Sequence, residues 1–408
     1  MPKKLYTDVK PSLKLKRINS VGNALNKIGI QVHKLDPQKI VKQACADAGY
    51  SKAIPSEVVE GLNTLIRSLN TEANLNPYGY KTFKHQLLRN LTLRLHLENE
   101  FEHFEKVKHQ KIKEPVFIIG MPKTGARFLH ATLSTDPEKR SPLNWECTQG
   151  NKGIKLGMAF AQKDINDFFN AAPGIKNLHS FNASSPQDCL GIFALNFCSY
   201  QYSGSAHIPT YNKWCEQEKN VYLTLQFHKR FLQYLQFKSG KQDRWLLKSP
   251  LHVAHLPQLL EIYPDAKIIF THRKPKETLA ATCSLISSLR MLYSDKEDLN
   301  RTGQEQINMS TTYYANFVEV RKKLKDRPHI LDLKFKNIAE HPLLILPILY
   351  EFFGWELNDD IKEGFKVFAD KNPEEVYQYH KGELRNFGLE EELVAQRFKS
   401  YLNFIDEI

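Results

Sequence analysis

Pro115-Val-Phe-Ile-Ile-Gly-Met-Pro-Lys-Thr-Gly-Ala-Arg-Phe-Leu-His130 is the stretch on which the fold turns. Val116 to Ile119 is too short an apolar run for a helix and β-branched enough for a strand buried on both faces. It stops at Gly120. Pro122, Lys123 and Thr124 fill the interval to Gly125, and Phe128, Leu129 and Leu133 then recur at helical spacing. Strand, glycine-bounded loop and helix make an anion site, because loop and first-turn N–H groups point one way at the positive end of the helix dipole. Lys123 adds a full charge.

The spacing Gly120-x-x-x-x-Gly125 is half of a P-loop signature, which continues with Lys and then Ser or Thr. Ala126 and Arg127 follow here instead. The lysine for terminal phosphates and the hydroxyl for Mg²⁺ are therefore both missing, and a nucleoside triphosphatase or P-loop kinase is excluded as the leading reading. No metal is expected.

The chain has 408 residues, with 57 Lys and Arg against 45 Asp and Glu, a formal charge of +12. That balance favours anionic partners. No zinc-finger spacing, basic zipper or RNA-binding aromatic motif accompanies it, so nucleic acid is not expected. Six scattered cysteines without a Cys-x-x-Cys pair suggest neither a zinc site nor a disulfide framework, and read as free thiols in the cytoplasm. No stretch approaches ~18 uninterrupted apolar residues, so no stable membrane insertion is expected.

Outward from the central strand, residues 1–112 read as an N-terminal helical segment, with helices from Asp36, from Pro55-Ser56 and over about 80–108. Packing on the core domain and a homodimer contact are both open for it. Residues 113–408 read as one α/β domain. Asp136-Pro-Glu-Lys-Arg-Ser-Pro-Leu-Asn-Trp-Glu-Cys147 is expected to be a proline-punctuated loop that carries Glu146, and helices are expected at about 154–171, 187–196 and 211–238. Phe168, Phe169, Phe181, Phe193, Phe197, Tyr200 and Tyr202 make this stretch aromatic; they are core residues or the walls of an acceptor pocket. Further strands are expected at Arg244–Lys248, Ala266–Thr271 and His329–Leu333, alternating with helices at about 252–263, 275–293 and 302–325. Three more helices follow at about 342–353, 358–370 and 389–405. That alternation implies a three-layer parallel sheet with helices on both faces.

These landmarks together resemble the broad sulfotransferase family, enzymes that use 3′-phosphoadenosine 5′-phosphosulfate (PAPS), over roughly residues 70 to 405. They are the loop Pro122-Lys-Thr-Gly125, Asp136-Pro137 with Trp145-Glu146, Arg244-Trp-Leu-Leu-Lys-Ser-Pro-Leu-His252, Tyr263-Pro-Asp-Ala-Lys-Ile-Ile-Phe-Thr-His-Arg273, and His380-Lys-Gly382. The resemblance implies that Lys123 holds the 5′-phosphosulfate and that Thr124, Gly125 and Ala126 supply backbone N–H groups. Phe128 stands where the family has an aromatic that stacks on adenine, although a helix-buried phenylalanine reads equally well. Arg273 would pair with the 3′-phosphate, closed by His380 and Lys381. Lys248 and Ser249 would hold sulfuryl oxygens or gate the leaving group.

The acceptor, a small molecule, lipid or carbohydrate with a hydroxyl or amine, needs a general base. Glu146 and His252 are the candidates, with Glu146 preferred for its place past the loop helix. His252 reads equally as a helix cap. The family's Thr-Thr is Ala126-Arg127 here, with Arg127 a substitute charge, and the serine expected eight residues after Arg273 is Ala281, leaving Thr282 or Ser284. A catalytically inactive nucleotide-binding or scaffold protein on the same fold is the alternative those departures raise.

Overall fold

A computed structural model describes residues 12–28, 34–177, 180–240, 244–325, 327–372 and 383–408. The central strand β1 is Val116–Ile119, all four residues buried. Around it run β2 (Lys139–Arg140), β3 (Arg244–Lys248), β4 (Lys267–His272) and β5 (Ile330–Lys334). Every pairing is parallel, in the order β2-β3-β1-β4-β5. Ile118 pairs with Lys248 on one side and Ile269 on the other, which puts the C-terminal ends of β3, β1 and β4 side by side.

Period-two alternation sends Val116 and Ile118, with Leu246, Ile269 and Leu333, into a core shared with the helix Ala126–Leu133 and with Leu346, Leu349 and Phe365 of the helices Ile345–Phe353 and Asp359–Lys371. Phe117 faces the other side, against Tyr263 at 5.2 Å, and Phe270 meets Phe317 of the helix Leu299–Lys323 at 4.7 Å. Helices thus cover both faces of a parallel sheet, as the alternating pattern implied.

Strand β2 lies inside the proline-punctuated segment read as a loop. Two residues carry no alternation to detect, and tertiary contacts hold them. Lys139 binds the Asp136 carboxylate and lies 4.1 Å from the Trp355 ring, while the Arg140 guanidinium sits 4.8 Å from the Trp245 ring. The expected helix over about 211–238 is two helices, Pro209–Cys215 and Glu218–Ser239. The Asn220 amide donates to the Trp214 carbonyl at 2.7 Å and stabilises the break. The helix expected near 342–353 is Ile345–Phe353, with an unforeseen short helix, Phe335–Glu340, ahead of it, and Glu391–Arg397 with Lys399–Glu407 replace one near 389–405.

The sheet belongs to a compact unit formed by the described residues of Lys111–Ser141, Ser239–Ser284 and Leu299–Ile408. A second unit takes those of Met1–Gln110, Pro142–Lys238 and Leu285–Asp298, so compactness divides the chain differently from the boundary expected at residue 113. It is helical. Asp36 caps Pro37–Ala48 by accepting from the Gln38 and Lys39 N–H groups, and Asn76 caps Pro77–His103 by accepting from Gly79 at 2.8 Å. That last helix was expected to run to about 108, but Phe104 ends it and a 3₁₀ turn, Glu105–His109, follows. Leu62, Leu65, Leu69, Leu87, Leu91 and Leu95 share its core with Phe197 and Tyr202, and Phe168, Phe169 and Tyr200 pack partly buried against it. Among the described residues no helix is long and apolar enough to cross a membrane. The six cysteines are free.

Candidate functional site

Gly120 ends β1 where no side chain fits: a Cβ there would lie 2.1 Å from Thr271 Oγ1 and 2.6 Å from Thr124 Oγ1. Those two hydroxyls share a hydrogen bond at 2.6 Å, and Thr124 also reaches the Met121 carbonyl at 2.8 Å. The loop is therefore tied to the end of β4. Gly125, with φ of 89°, turns the chain into the helix Ala126–Leu133. Lys123 adopts φ of 70°, a left-handed conformation that costs a lysine of order 1–3 kcal/mol and is held by the surrounding structure. The left-handed φ of Lys123 marks it out from Pro122 and Thr124 beside it.

Arg273 follows β4 directly. Its Nη1 donates to the Lys123 carbonyl at 3.0 Å, its Nε binds Glu277 at 2.8 Å, and its guanidinium lies 4.0 Å from the Phe335 ring centroid. Only 13 % of the side chain is exposed, so the fork is fixed on three sides. Phe335 also limits Gly125, whose added Cβ would lie 3.2 Å from Phe335 Cδ2. Lysine and arginine thus meet at the C-terminal ends of two adjacent parallel strands, where open α/β sheets bind ligands.

Lys248 ends β3 beside Ile118, and Ser249 donates its N–H to the Ile118 carbonyl at 3.3 Å. Ser249 is fully buried. His252 stands on a 3₁₀ turn, Pro250–Val253, where a longer helix was expected; it is 2 % exposed and packs edge-on to Phe117 at 5.2 Å. Burial, with Lys248 nearby, pushes the His130 imidazole down to about 3. Its Nε2 lies 3.0 Å from Ser141 Oγ, which donates to the Leu246 carbonyl, so a neutral ring braces the loop helix against β3.

Glu146 belongs to the helical unit. It is buried at residue three of the helix Asn144–Gln149, where a loop to Cys147 was expected, and its Oε2 accepts from the Leu143 N–H at 2.9 Å, which closes the first turn of that helix. Phe128 is 3 % exposed in the sheet core, 6.2 Å from Phe368. Pro122 and Arg127 are half-buried and Ala126 is buried. Ala281 is buried too, and Thr282 donates to the Thr278 carbonyl at 2.7 Å, lining a small cleft with Met121 and Tyr314. His380 and Lys381 lie outside the described residues. No cluster of three or more His, Cys, Asp or Glu placed for a metal occurs among the described residues.

Sequence reasoning missed Thr271, Glu277 and Phe335. Glu277 carried a signal, an acid four residues after Arg273 at a helix start. Thr271 and Phe335 carried none, since each acts on a loop far away in sequence.

Sheet order, loop and strand-end arginine define a class, and the profile described as "Sulfotransferase family" matches residues 115–359, so the chain belongs to the sulfotransferase family. Among solved structures it is similar to sulfotransferase STF9 from Mycobacterium avium, with TM-score 0.81 and 21% identity over 90% of this chain and 96% of that one. Sulfotransferase STF1 from Mycobacterium tuberculosis H37Rv gives 0.76 and 24%, over 89% and 98%. At those identities the likeness shows the fold. Two curated relatives, from Mycobacterium bovis and Mycobacterium tuberculosis, are named omega-hydroxy-beta-dihydromenaquinone-9 sulfotransferase Stf3; each is 23% identical over 248 residues, 59% of this chain and 62% of theirs.

Proposed function

We propose that this chain transfers a sulfuryl group from PAPS to a hydroxyl or amine of a small-molecule, lipid or carbohydrate acceptor. The observation that carries the reading is the junction of Arg273 Nη1 with the Lys123 carbonyl, which gathers two cations on one loop beside Lys248. The donor set fits a nucleotide with two phosphate positions: a fixed planar guanidinium for one, a lysine at a helix start for the other. PAPS, when bound, supplies the activated sulfuryl group. Lys123 neutralises charge on the oxygen it leaves, Lys248 and Ser249 steady the sulfuryl oxygens, and Arg273 fixes the 3′-phosphate. Phe128, too buried to offer a ring face, is assigned to packing.

Glu146 is our candidate base, with His252 the second reading because it shares a unit and strand edge with Lys123 and Ser249. A hydroxylated acceptor of the kind in the Stf3 relatives' name is one class to test. Free thiols suit a cytoplasmic setting.

Transfer from radiolabelled PAPS to a mixture of cell metabolites tests the reading. Lys123→Ala should lower transfer far more than affinity for adenosine 3′,5′-bisphosphate, whereas Arg273→Ala should weaken that affinity by roughly 1.5–3 kcal/mol. Glu146→Gln should keep nucleotide affinity and lose about 10²–10⁴-fold in turnover. Absence of transfer with retained nucleotide binding would establish the scaffold alternative, and a stronger rise in melting temperature with ATP and Mg²⁺ than with the bisphosphate would refute both.

A further inference from the structure

The helix Ile154–Ala171 begins in a way its burial does not explain. Its inner face is Gly157, Ala161 and Ile165, and Gly157 is pinned so closely that a Cβ would lie 2.8 Å from Trp145 Cε3. Around that anchor the first two turns carry exposed apolar side chains. Ile154 is 69% exposed, Leu156 58%, Phe160 44% and Met158 36%. At about 100° per residue, Ile154 prolongs the line of Gly157, Ala161 and Ile165 beyond the anchor with Met158 on its flank, Leu156 and Phe160 fall on the opposite side, and Lys155 lies between the two pairs. Lys152, in the 3₁₀ turn just ahead, places its ammonium 5.2 Å from the Phe160 ring. Residues 147–163 hold three lysines and no carboxylate. Lys163 is matched by Asp167 at 2.9 Å, which leaves Lys152 and Lys155 as the charge beside the apolar tip.

We infer that this tip docks on an anionic lipid bilayer, entering the interface end-on. A rigid protein partner would cover one flank of the helix; a fluid interface accepts both. Apolar side chains that enter the acyl boundary with lysines at headgroup level are how peripheral helices hold a membrane. Two lysines near an anionic surface supply charge complementarity, about fivefold in affinity each. The docking is interfacial, and it needs no spanning helix. Exposed apolar residues elsewhere, Leu344 just before the helix Ile345–Phe353 and Ile348 and Phe352 on it, have Glu351 and Glu340 in their sequence neighbourhood and lack this bias.

The full chain is sedimented with vesicles of phosphatidylcholine alone and of phosphatidylcholine mixed with phosphatidylglycerol. It should bind the mixed vesicles, weaken as salt rises, and lose about 25-fold in affinity at low salt with Lys152→Gln and Lys155→Gln together. Leu156→Ser with Phe160→Ser should lose binding with an unchanged melting temperature. If that pair disturbs folding, Ile154→Ser, at the most exposed position, gives the same reading. No binding to the mixed vesicles, equal binding by the variants, or a loss confined to Leu344→Ser overturns the assignment. So does a tip variant that only changes oligomeric state on a sizing column. Vesicle binding is measured without donor or acceptor, so it stands or falls apart from the proposed reaction.

Discussion

Gly120→Ala tests whether the loop is held by β4 through contact alone, since φ at this glycine is not in the left-handed region. The new methyl would lie 2.1 Å from Thr271 Oγ1, 2.6 Å from Thr124 Oγ1 and 2.9 Å from the Thr271 carbonyl oxygen. Both hydroxyls must rotate away, which breaks their shared hydrogen bond at a cost of about 1 kcal/mol. The carbonyl cannot rotate, so β1 and β4 must also part slightly, an overpacking cost of about 1–3 kcal/mol. A total of about 2–4 kcal/mol follows, read as a lower midpoint in urea at unchanged slope. Thr271→Ala removes the nearest atom but leaves the carbonyl. The double variant should therefore be more stable than the sum of the singles by about 1–2 kcal/mol without regaining the parent value. Additive losses, or a loss below about 0.5 kcal/mol for Gly120→Ala, would refute the contact account.

Three shorter expectations follow from the same geometry. Burial drives His130 and His228 down to about 3 and His255 to about 4, so they fold neutral from an ordinary 6.5. Their contribution is complete above 6.5 and is lost as pH falls below it, by up to about 1.4 kcal/mol per pH unit for each; a melting temperature flat between about pH 8 and about pH 5 would contradict this. Burial pushes the Asp332 carboxyl up, yet bonds from His272 and Arg321 outweigh it and hold it below the ordinary carboxylate range. Asp332→Asn, which strands the Arg321 guanidinium bound at 2.8 Å, should cost about 3–5 kcal/mol in urea unfolding, and a loss under half of that would show the pair is dispensable. Tyr401→Phe, losing the hydroxyl 3.0 Å from His272 Nδ1, should cost about 1 kcal/mol in the same titration.

The strands were legible because β1, β3 and β4 are short apolar runs with sharp ends at Gly120, Ser249 and the His272–Arg273 pair, and β5 is a short apolar run after a helix. Fold class followed from the alternation of strands and helices together with the order of the family landmarks. What escaped the sequence depends on residues far apart in the chain. Lys139 reads as a loop residue until Asp136, Tyr350 and Trp355 surround it. Phe335 reads as an ordinary end to β5 until it is found against both Arg273 and Gly125. Phe128 had two readings, adenine platform or core, and its burial at 3 % exposure is visible only in the fold.

The loop's departures from the family pattern weigh differently once its backbone is seen. A threonine pair after Gly125 would add hydroxyls to an anion, and Ala126-Arg127 cannot. The directions of the neighbouring N–H groups, however, are set by other features of this chain: Gly120 without a side chain, the Thr124–Thr271 hydrogen bond, the left-handed Lys123 and Gly125, and the Arg273 bond to the Lys123 carbonyl. Removing a hydroxyl subtracts one hydrogen bond to a charged group, roughly 1.5–3 kcal/mol, and leaves that frame standing. Losing the frame would misdirect every donor at once. Ala126→Thr should therefore tighten adenosine bisphosphate binding modestly, whereas Gly125→Ala, forced into φ of 89° with a Cβ 3.2 Å from Phe335, should abolish it. Equal effects from the two would mean that side-chain hydroxyls, not the backbone, hold the nucleotide.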